Sequence, residues 1–245
     1  MKKFLLIYLF LGLAPFGLVN CSNPFSSPVV AQSERNYQLK NFNSIEIGYA
    51  YEVHIHKKNT FSITAIGESR DLDYVKVSQR GNQLVIRDDR RSNLFKYMNR
   101  EKVIINIGMP ELISAEISGA VKAEIFGFNN QDFLNLEASG ASEILIHDLG
   151  VNKLNLESSG ASNIKIKGSA YKFNLECSGA SNVKAKDFIV RDSDIDISGA
   201  SNVTVHVTES LFAEASGASN IYYYGNPKHL ETESHAASNI KKISE

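Results

Sequence analysis

The chain has 245 residues, 26 Lys and Arg against 27 Asp and Glu, two cysteines and no tryptophan. That length buries a sizeable core in one large or two small domains, and a formal net charge of −1 excludes a nucleic-acid binder working through a basic excess. A composition 43% hydrophobic and 22% charged belongs to neither a disordered chain nor a multi-span membrane protein.

Met1-Lys2-Lys3 is followed by no charged residue before Glu34, and Phe4 to Val19 is mostly apolar. A short basic start and a compact apolar run predict a signal peptide over residues 1–20. The run is too short, and too interrupted by Gly12, Pro15 and Gly17, for a spanning helix. Leu18-Val19-Asn20-Cys21 resembles a lipobox, in which Cys21 is lipidated and becomes the first residue; Asn20 departs from the small residue usual there. Val29-Val30-Ala31 fits an ordinary signal-peptidase site that leaves Gln32 first. Either route exports the chain, as an outer-membrane lipoprotein or as a periplasmic or secreted protein of a bacterial cell envelope. The membrane would be met through the lipid anchor only. Residues 21–35, with Pro24 and Pro28 among serines, read as a flexible tether.

Residues 36–110 carry period-two alternation without a repeated motif. Ile45 and Ile47, Val53 and Ile55, Ile63 and Ala65, then Val75 and Val77 alternate with polar residues, the pattern of strands with one buried face. Gln79-Arg80-Gly81-Asn82-Gln83 reads as a hairpin or a coil corner. Val103-Ile104-Ile105 leads through Pro110 into regular sequence. This stretch is expected to be irregular β-structure continuous with the regular sequence beyond Pro110, and to cap it.

From residue 111 to 245 the sequence beats. Ser-Gly-Ala recurs with its glycine at Gly119, Gly140, Gly160, Gly179, Gly199 and Gly217, and His235-Ala236-Ala237 is a degenerate seventh copy. The central positions lie 18 to 21 residues apart. Leu134/Leu136, Leu154/Leu156 and Phe173/Leu175 precede the corners, and Ile144/Ile146, Ile164/Ile166 and Val183/Ala185 come after them. A unit of strand, turn, strand and turn in ~20 residues is too short for a βαβ crossover or a propeller blade and has the length of one solenoid coil. The fold expected is all-β: a right-handed parallel β-helix (β-solenoid) with a less regular N-terminal β part, the hand taken from the general rule for parallel connections. Glycine answers to a corner with positive φ or crowded backbone. Ser142, Ser162, Ser181 and Ser201, with Asn163, Asn182, Asn202 and Asn220, should stack as polar ladders.

The Ser-Gly-Ala-Ser-Asn-(Ile/Val) beat behind a lipobox-like start resembles the bacterial head GIN domain family, a group named for auto-transporter adhesins whose folded members are β-helical. The resemblance spans roughly residues 40–240. It implies a β-helix and an adhesive role, and it brings no catalytic motif to carry over.

Candidate chemistry is confined to the outward positions. The residue three before each corner glycine is acidic: Glu116, Glu137, Glu157, Glu176, Asp196, Glu214, and Glu233 before Ala236. Stacked coils would make this a column at ~4.8 Å spacing, either a solvated face partly offset by Lys165, Lys167, Lys184, Lys186 and Lys241, or a row of weak Ca²⁺ sites or a track for a polymer. No other cofactor is expected. Asp192, Asp194 and Asp196 share a strand face, which suits Ca²⁺ or, on a β-helix, polysaccharide cleavage. His54 and His56 flank an inward Ile55; they are expected to face solvent, and a zinc site there would need a third ligand that the sequence does not nominate. Cys177 is expected to be a core filler. Tyr222 and Tyr224 should project outward around an inward Tyr223, suited to a sugar or protein partner or to a cap beneath the C-terminal tail. Two readings remain: a non-enzymatic envelope scaffold that binds a glycan or an envelope protein, and, as the alternative, a polysaccharide-active β-helix enzyme. Ligand and oligomeric state are not legible.

Overall fold

The computed structural model describes residues 32–90 and 101–244. The signal peptide, Cys21 and both processing sites lie outside the described residues.

The irregular N-terminal half comes first in the chain: β1 (Ser33–Tyr37), β2 (Ser44–Ile47), β3 (Glu52–Lys57), β4 (Ser62–Gly67), the single turn α1 (Ser69–Leu72), β5 (Val75–Arg80), β6 (Gln83–Asp88) and β7 (Ile104–Met109). β8 (Ser114–Ile117), β9 (Lys122–Phe126) and β10 (Gln131–Ala138) lead into four long strands, β11 (Glu143–Ser158), β12 (Asn163–Cys177), β13 (Asn182–Ile197) and β14 (Asn202–Ala215). β15 (Asn220–Tyr224), β16 (His229–Ser234) and β17 (Asn239–Lys242) end the stack. From β8 onward every pairing between coils is parallel and in register with the repeat, Glu137 opposite Glu157 and Asn163 opposite Asn182. The expected β-solenoid is what forms.

In β11 and β13 the inward pattern breaks twice, and in β14 once. In β11 the buried residues are Ile144 and Ile146, then Leu149 and Val151, then Leu154, Leu156 and Ser158. Strict alternation breaks after Ile146 and again after Val151, so three inward runs line this coil. β13 repeats this with Val183 and Ala185, Phe188 and Val190, then Ser193, Ile195 and Ile197. Side chains at equal positions stack from coil to coil, and Phe173 and Phe188, both fully buried, meet edge to face. Burying each such side chain contributes about 1.5–3 kcal/mol.

The Ser-Gly-Ala corner exists because the backbones there nearly touch. Gly179 has φ +80, and a Cβ on it would sit 2.5 Å from the Gly160 carbonyl oxygen of the coil before. The Ala180 N–H donates to that same carbonyl at 2.7 Å. Below each corner a serine turns inward: Ser162 and Ser181 are buried, each donating its hydroxyl to a corner carbonyl, Ser159 and Ser178 respectively. Ser142 and Ser162 also bond to one another at 3.1 Å. The asparagine ladder forms in part, from Asn182 to Asn163 and from Asn220 to Asn202.

The N-terminal half is not stacked in chain order. β2 lies between β6 and β8, and β3 lies between β7 and β9, all parallel. The coil made by β6 and β7 is therefore the outermost, and the earlier coil of β2 and β3 slots beneath it. Antiparallel strands then close the end: β5 pairs with β6 through a two-residue turn, β4 pairs with β7, and β1 pairs with β4. This covers the open sheet edge, as a solenoid end requires. β1 begins at Ser33, inside the stretch read as tether, and it is held there by its pairing with β4.

At the other end the core simply runs out. Leu230, Thr232 and Ser234 stand opposite the buried Leu211, Ala213 and Ala215, yet all of β16 is exposed. Two of those three inward positions are polar, which suits water. Among the described residues no helix is long and apolar enough to cross a membrane.

Candidate functional site

Outward positions align because the register is conserved from coil to coil, so one residue type repeated every ~20 residues becomes a column. The acidic column is continuous through Glu116, Glu137, Glu157, Glu176, Asp196, Glu214 and Glu233. It also has an eighth member: Glu46 of β2 stands opposite Glu116. Arg87 forms an ion pair with Glu46. Further along, Glu116 is partly desolvated and faces Glu46 and Glu137, and both effects hold its carboxyl above its ordinary value. Neighbouring like charges at such spacing repel by about 1 kcal/mol per pair in water.

The basic column does not answer this. Lys167 pairs with Asp187 at 3.7 Å, and among the described residues no lysine of the expected set makes an ion pair with the acidic column. Those lysines lie on the run beyond the corner, with Lys165 opposite Lys184, and present a separate basic patch. The expected offset is corrected accordingly.

Between the carboxylates and the corner serines runs an open groove of about 260 Å³, with Glu137, Glu157 and Glu176 along one side and Ser139, Ser159 and Ser178 along the other. On the far side of the carboxylates is a column that the sequence reading missed. Asn155 donates to Asn135 at 2.7 Å, and Asn174 donates to Asn155 at 3.0 Å. Its signal was present, an asparagine five before the corner glycine in three successive beats. The face thus offers parallel rows of amide, carboxylate and hydroxyl. Each row is a line of hydrogen-bonding groups, and together they suit an extended polar ligand lying across several coils.

Asp192, Asp194 and Asp196 do share a face, but each belongs to a different column. Asp192 stands between Lys172 and Ser210, Asp194 between Asn174 and Phe212, and Asp196 between Glu176 and Glu214. Successive outward residues along a strand are ~6.6 Å apart, and the three do not gather round one point. Asp192 and Asp194 line a depression with Lys172, Arg191, Glu209 and His229, and Asp194 and Asp196 line another with Glu214, Glu231 and Glu233, the exposed Phe212 lying in both.

The paired histidines also differ from expectation. Ile55 is buried between them as expected, but His54 is half-buried and held rather than free. Its Nε2 lies 3.2 Å from Glu52 and its Nδ1 3.0 Å from Glu124. A ring carrying both N–H groups satisfies both carboxylates at once. Glu124 also receives His147 Nε2 at 2.8 Å, and these bonds hold its carboxyl below the ordinary range. His56 stacks on Phe126, which stacks on His147. Cys177 is buried as expected, and burial pushes its thiol up to about 12. Tyr223 is buried, while Tyr222 and Tyr224 sit half-buried on the outer face. The Lys186 ammonium stands 4.5 Å from the Tyr224 ring centre. β17 continues the stack beside β15 and brings Lys241 opposite Tyr222, so the tail forms a further coil instead of covering the tyrosines.

The sequence model of one family, described as "Putative auto-transporter adhesin, head GIN domain", matches residues 41–227. No curated protein matches the chain. A crystal structure of a putative adhesin from Bacteroides fragilis is similar at 24% identity and TM-score 0.80, covering 88% of this chain and 99% of that one. A putative lipid binding protein from Parabacteroides distasonis aligns at 16% identity and TM-score 0.67, over 87% and 97% of the two chains. A putative adhesin from the same organism aligns at 17% identity and TM-score 0.66, over the same shares. At these identities the solved structures speak for the fold alone.

Proposed function

The chain belongs to the head GIN domain family, and from that premise we propose that it is an exported, lipid-anchored, non-enzymatic scaffold that binds an extended glycan at the cell envelope. The observation that carries the reading is the groove between the carboxylates and the corner serines, repeated coil after coil. A catalytic centre is a single constellation with unlike partners, whereas here carboxylate and hydroxyl recur at each Ser-Gly-Ala beat, with amides beside them in three successive coils. Repetition favours many weak contacts along a polymer, whose summed strength grows with the number of coils engaged. Carboxylates and amides in rows match sugar hydroxyls, and the carboxylates also match Ca²⁺ held between coil and ligand. The anchor would be Cys21, in the lipobox-like Leu18-Val19-Asn20-Cys21.

The test is a glycan-array screen of the full-length chain in mild detergent, with about 2 mM Ca²⁺ and again with EDTA. Binding to one sugar class, weakened when Glu157 and Glu176 are changed together to Gln, is the expected result. Release of shortened or unsaturated sugars from a bound polymer would replace the scaffold with an enzyme. No binding in either buffer would remove the glycan and leave a protein partner. Incorporation of labelled palmitate, abolished by Cys21→Ala, checks the anchor independently.

A further inference from the structure

Among the seven beats of the regular repeat the corner serine is replaced once. Ser118, Ser139, Ser159, Ser178, Ser198 and Ser216 occupy the position before the corner residue, and in the last coil that position is His235. Its N–H donates to Ala215 at 2.9 Å, as Ser216 donates to Ile197 one coil earlier, so the backbone is the ordinary corner and only the side chain is new. The imidazole lies beside the end of the acidic column. Glu214 and Glu233 face one another across β14 and β16, and one ligand atom from each of Glu214, Glu233 and His235 lies within 4.8 Å of the other two.

The spacing separates this group from the other histidines. His54 and His147 touch their carboxylates at 2.8–3.2 Å, which is hydrogen-bond contact with no room for an ion. His235 Nε2 stands 3.7 Å from Glu233 and 4.0 Å from Glu214, and no hydrogen bond closes either gap. Donors bound at ~2.0–2.1 Å to a tetrahedral ion lie roughly 3.3–3.4 Å apart. Shifts of roughly 0.3–0.4 Å toward Glu233 and roughly 0.6–0.7 Å toward Glu214, open to exposed side chains, bring both gaps to that spacing. Among the described residues Glu214 and Glu233 make no ion pair with Lys or Arg, so two adjacent carboxylates share a single imidazole.

We infer that Glu214, Glu233 and His235 form a binding site for a divalent d-block cation, Zn²⁺ foremost, at the C-terminal end of the solenoid. One imidazole nitrogen and two carboxylate oxygens are a donor set that suits Zn²⁺; Ca²⁺ takes oxygen ligands in larger number. Water would complete the shell on the solvent side. The site takes the last two carboxylates of the acidic column, Glu214 and Glu233, but these lie beyond the residues that line the groove, and the ion differs, so either reading can fail without the other.

The test is isothermal titration of the full-length chain in mild detergent with ZnCl₂ at about pH 7.5, alongside Co²⁺ titration followed by visible absorption. The expected result is one Zn²⁺ per chain, with cobalt bands of a four-coordinate nitrogen and oxygen site. His235→Ser restores the residue found at the other corners, and it should weaken binding at least tenfold while leaving the metal-free melting temperature unchanged. Glu233→Gln should weaken it as well, and a millimolar excess of Ca²⁺ should not displace Zn²⁺. Absence of binding, or Zn²⁺ binding that His235→Ser does not weaken, overturns the site. Displacement by Ca²⁺ would show an unselective carboxylate cluster and overturns it equally.

Discussion

The coils from β10 to β15 and the coils made by β2, β3, β6 and β7 build the same object by different means. In the regular coils the corner is a glycine whose positive φ and missing Cβ let it lie against the glycine before it. In the β2–β3 coil the same corner is Gly48-Tyr49-Ala50, with Tyr49 at φ +96 and its carbonyl accepting from Ala120 as a corner glycine would. The stacking geometry is kept although the motif is lost. A repeat of nearest-neighbour contacts can propagate by identical steps, but its first member has no coil beneath it. Here the chain supplies one by bringing β6 and β7 round to the outside of β2 and β3, then sealing them with antiparallel strands. The regular part is held by its periodicity, and the N-terminal part by particular long-range contacts.

Breaking a corner tests the first half of that contrast. Gly179→Val places a side chain against the Gly160 carbonyl at a residue with φ +80, combining backbone strain with overpacking. The expected cost is about 3–5 kcal/mol, or loss of soluble folded protein. Gly81, in the β5–β6 turn, has φ +60 with nothing within 4 Å of an added Cβ, so Gly81→Ala should cost only ~1 kcal/mol. Urea unfolding of the two variants compares them directly. Equal costs would mean that positive φ alone, and not stacked backbone, makes glycine necessary at the corners.

A buried ion cluster tests the second half. Arg90 and Asp71 are buried and bonded at 2.7 Å, Arg90 Nε lies 3.5 Å from the buried Asp88, and the Glu101 N–H donates to Asp71 at 3.2 Å. The cluster thereby ties α1 to both sides of the 91–100 segment. Arg90→Met removes the cation that two buried carboxylates share, leaving Asp71, among the described residues, only the cation of Arg70 at 3.8 Å, at about 3 kcal/mol. Hydrogen exchange should quicken in β5 and β6 and remain unchanged in β12 and β13, because coils report mainly to their neighbours. Uniform loss of protection along the whole stack would show the two parts unfolding as one.

The same contrast decides what could be read before the structure was known. Six copies of Ser-Gly-Ala at near-constant spacing carry register, corner and acidic column together, because each coil meets its neighbours at the same positions. The Asn135, Asn155 and Asn174 ladder was equally written there, as a polar residue at a fixed step. Tyr49 was not: its corner role lies in φ and in the pairing of β2 with β8, and its residue type argues against it. The same holds for Glu46, whose place in the column comes only from that pairing. The insertion of β2 between β6 and β8 leaves no trace in period-two alternation, which reports which face is buried and never which strand is adjacent. The contacts of His54 with Glu124, 70 residues away, are hidden for the same reason.

The smallest effects sharpen the comparison between the acidic column and the histidine-bridged carboxylates. Glu116 has its carboxyl raised by desolvation and by Glu46 and Glu137, so ionising it disfavours the fold, and stability should rise as pH falls through the carboxylate range. Glu124 has its carboxyl lowered by hydrogen bonds from His147 and His54. Its contribution is present above the ordinary carboxylate value and is lost as pH falls through the lowered one. Glu116→Gln should therefore stabilise at pH 7 and Glu124→Gln destabilise, each by less than ~1 kcal/mol because both side chains meet solvent. The gain from Glu116→Gln should shrink in high salt, which screens exposed like charges over about 8 Å at physiological ionic strength and more closely above it. Melting temperatures at pH 7 and pH 4, in low and high salt, read both signs. If Glu116→Gln destabilised at pH 7, the column would be held together by a bound cation rather than strained by its own charge, and adding EDTA to the wild-type chain would then lower its melting temperature as well.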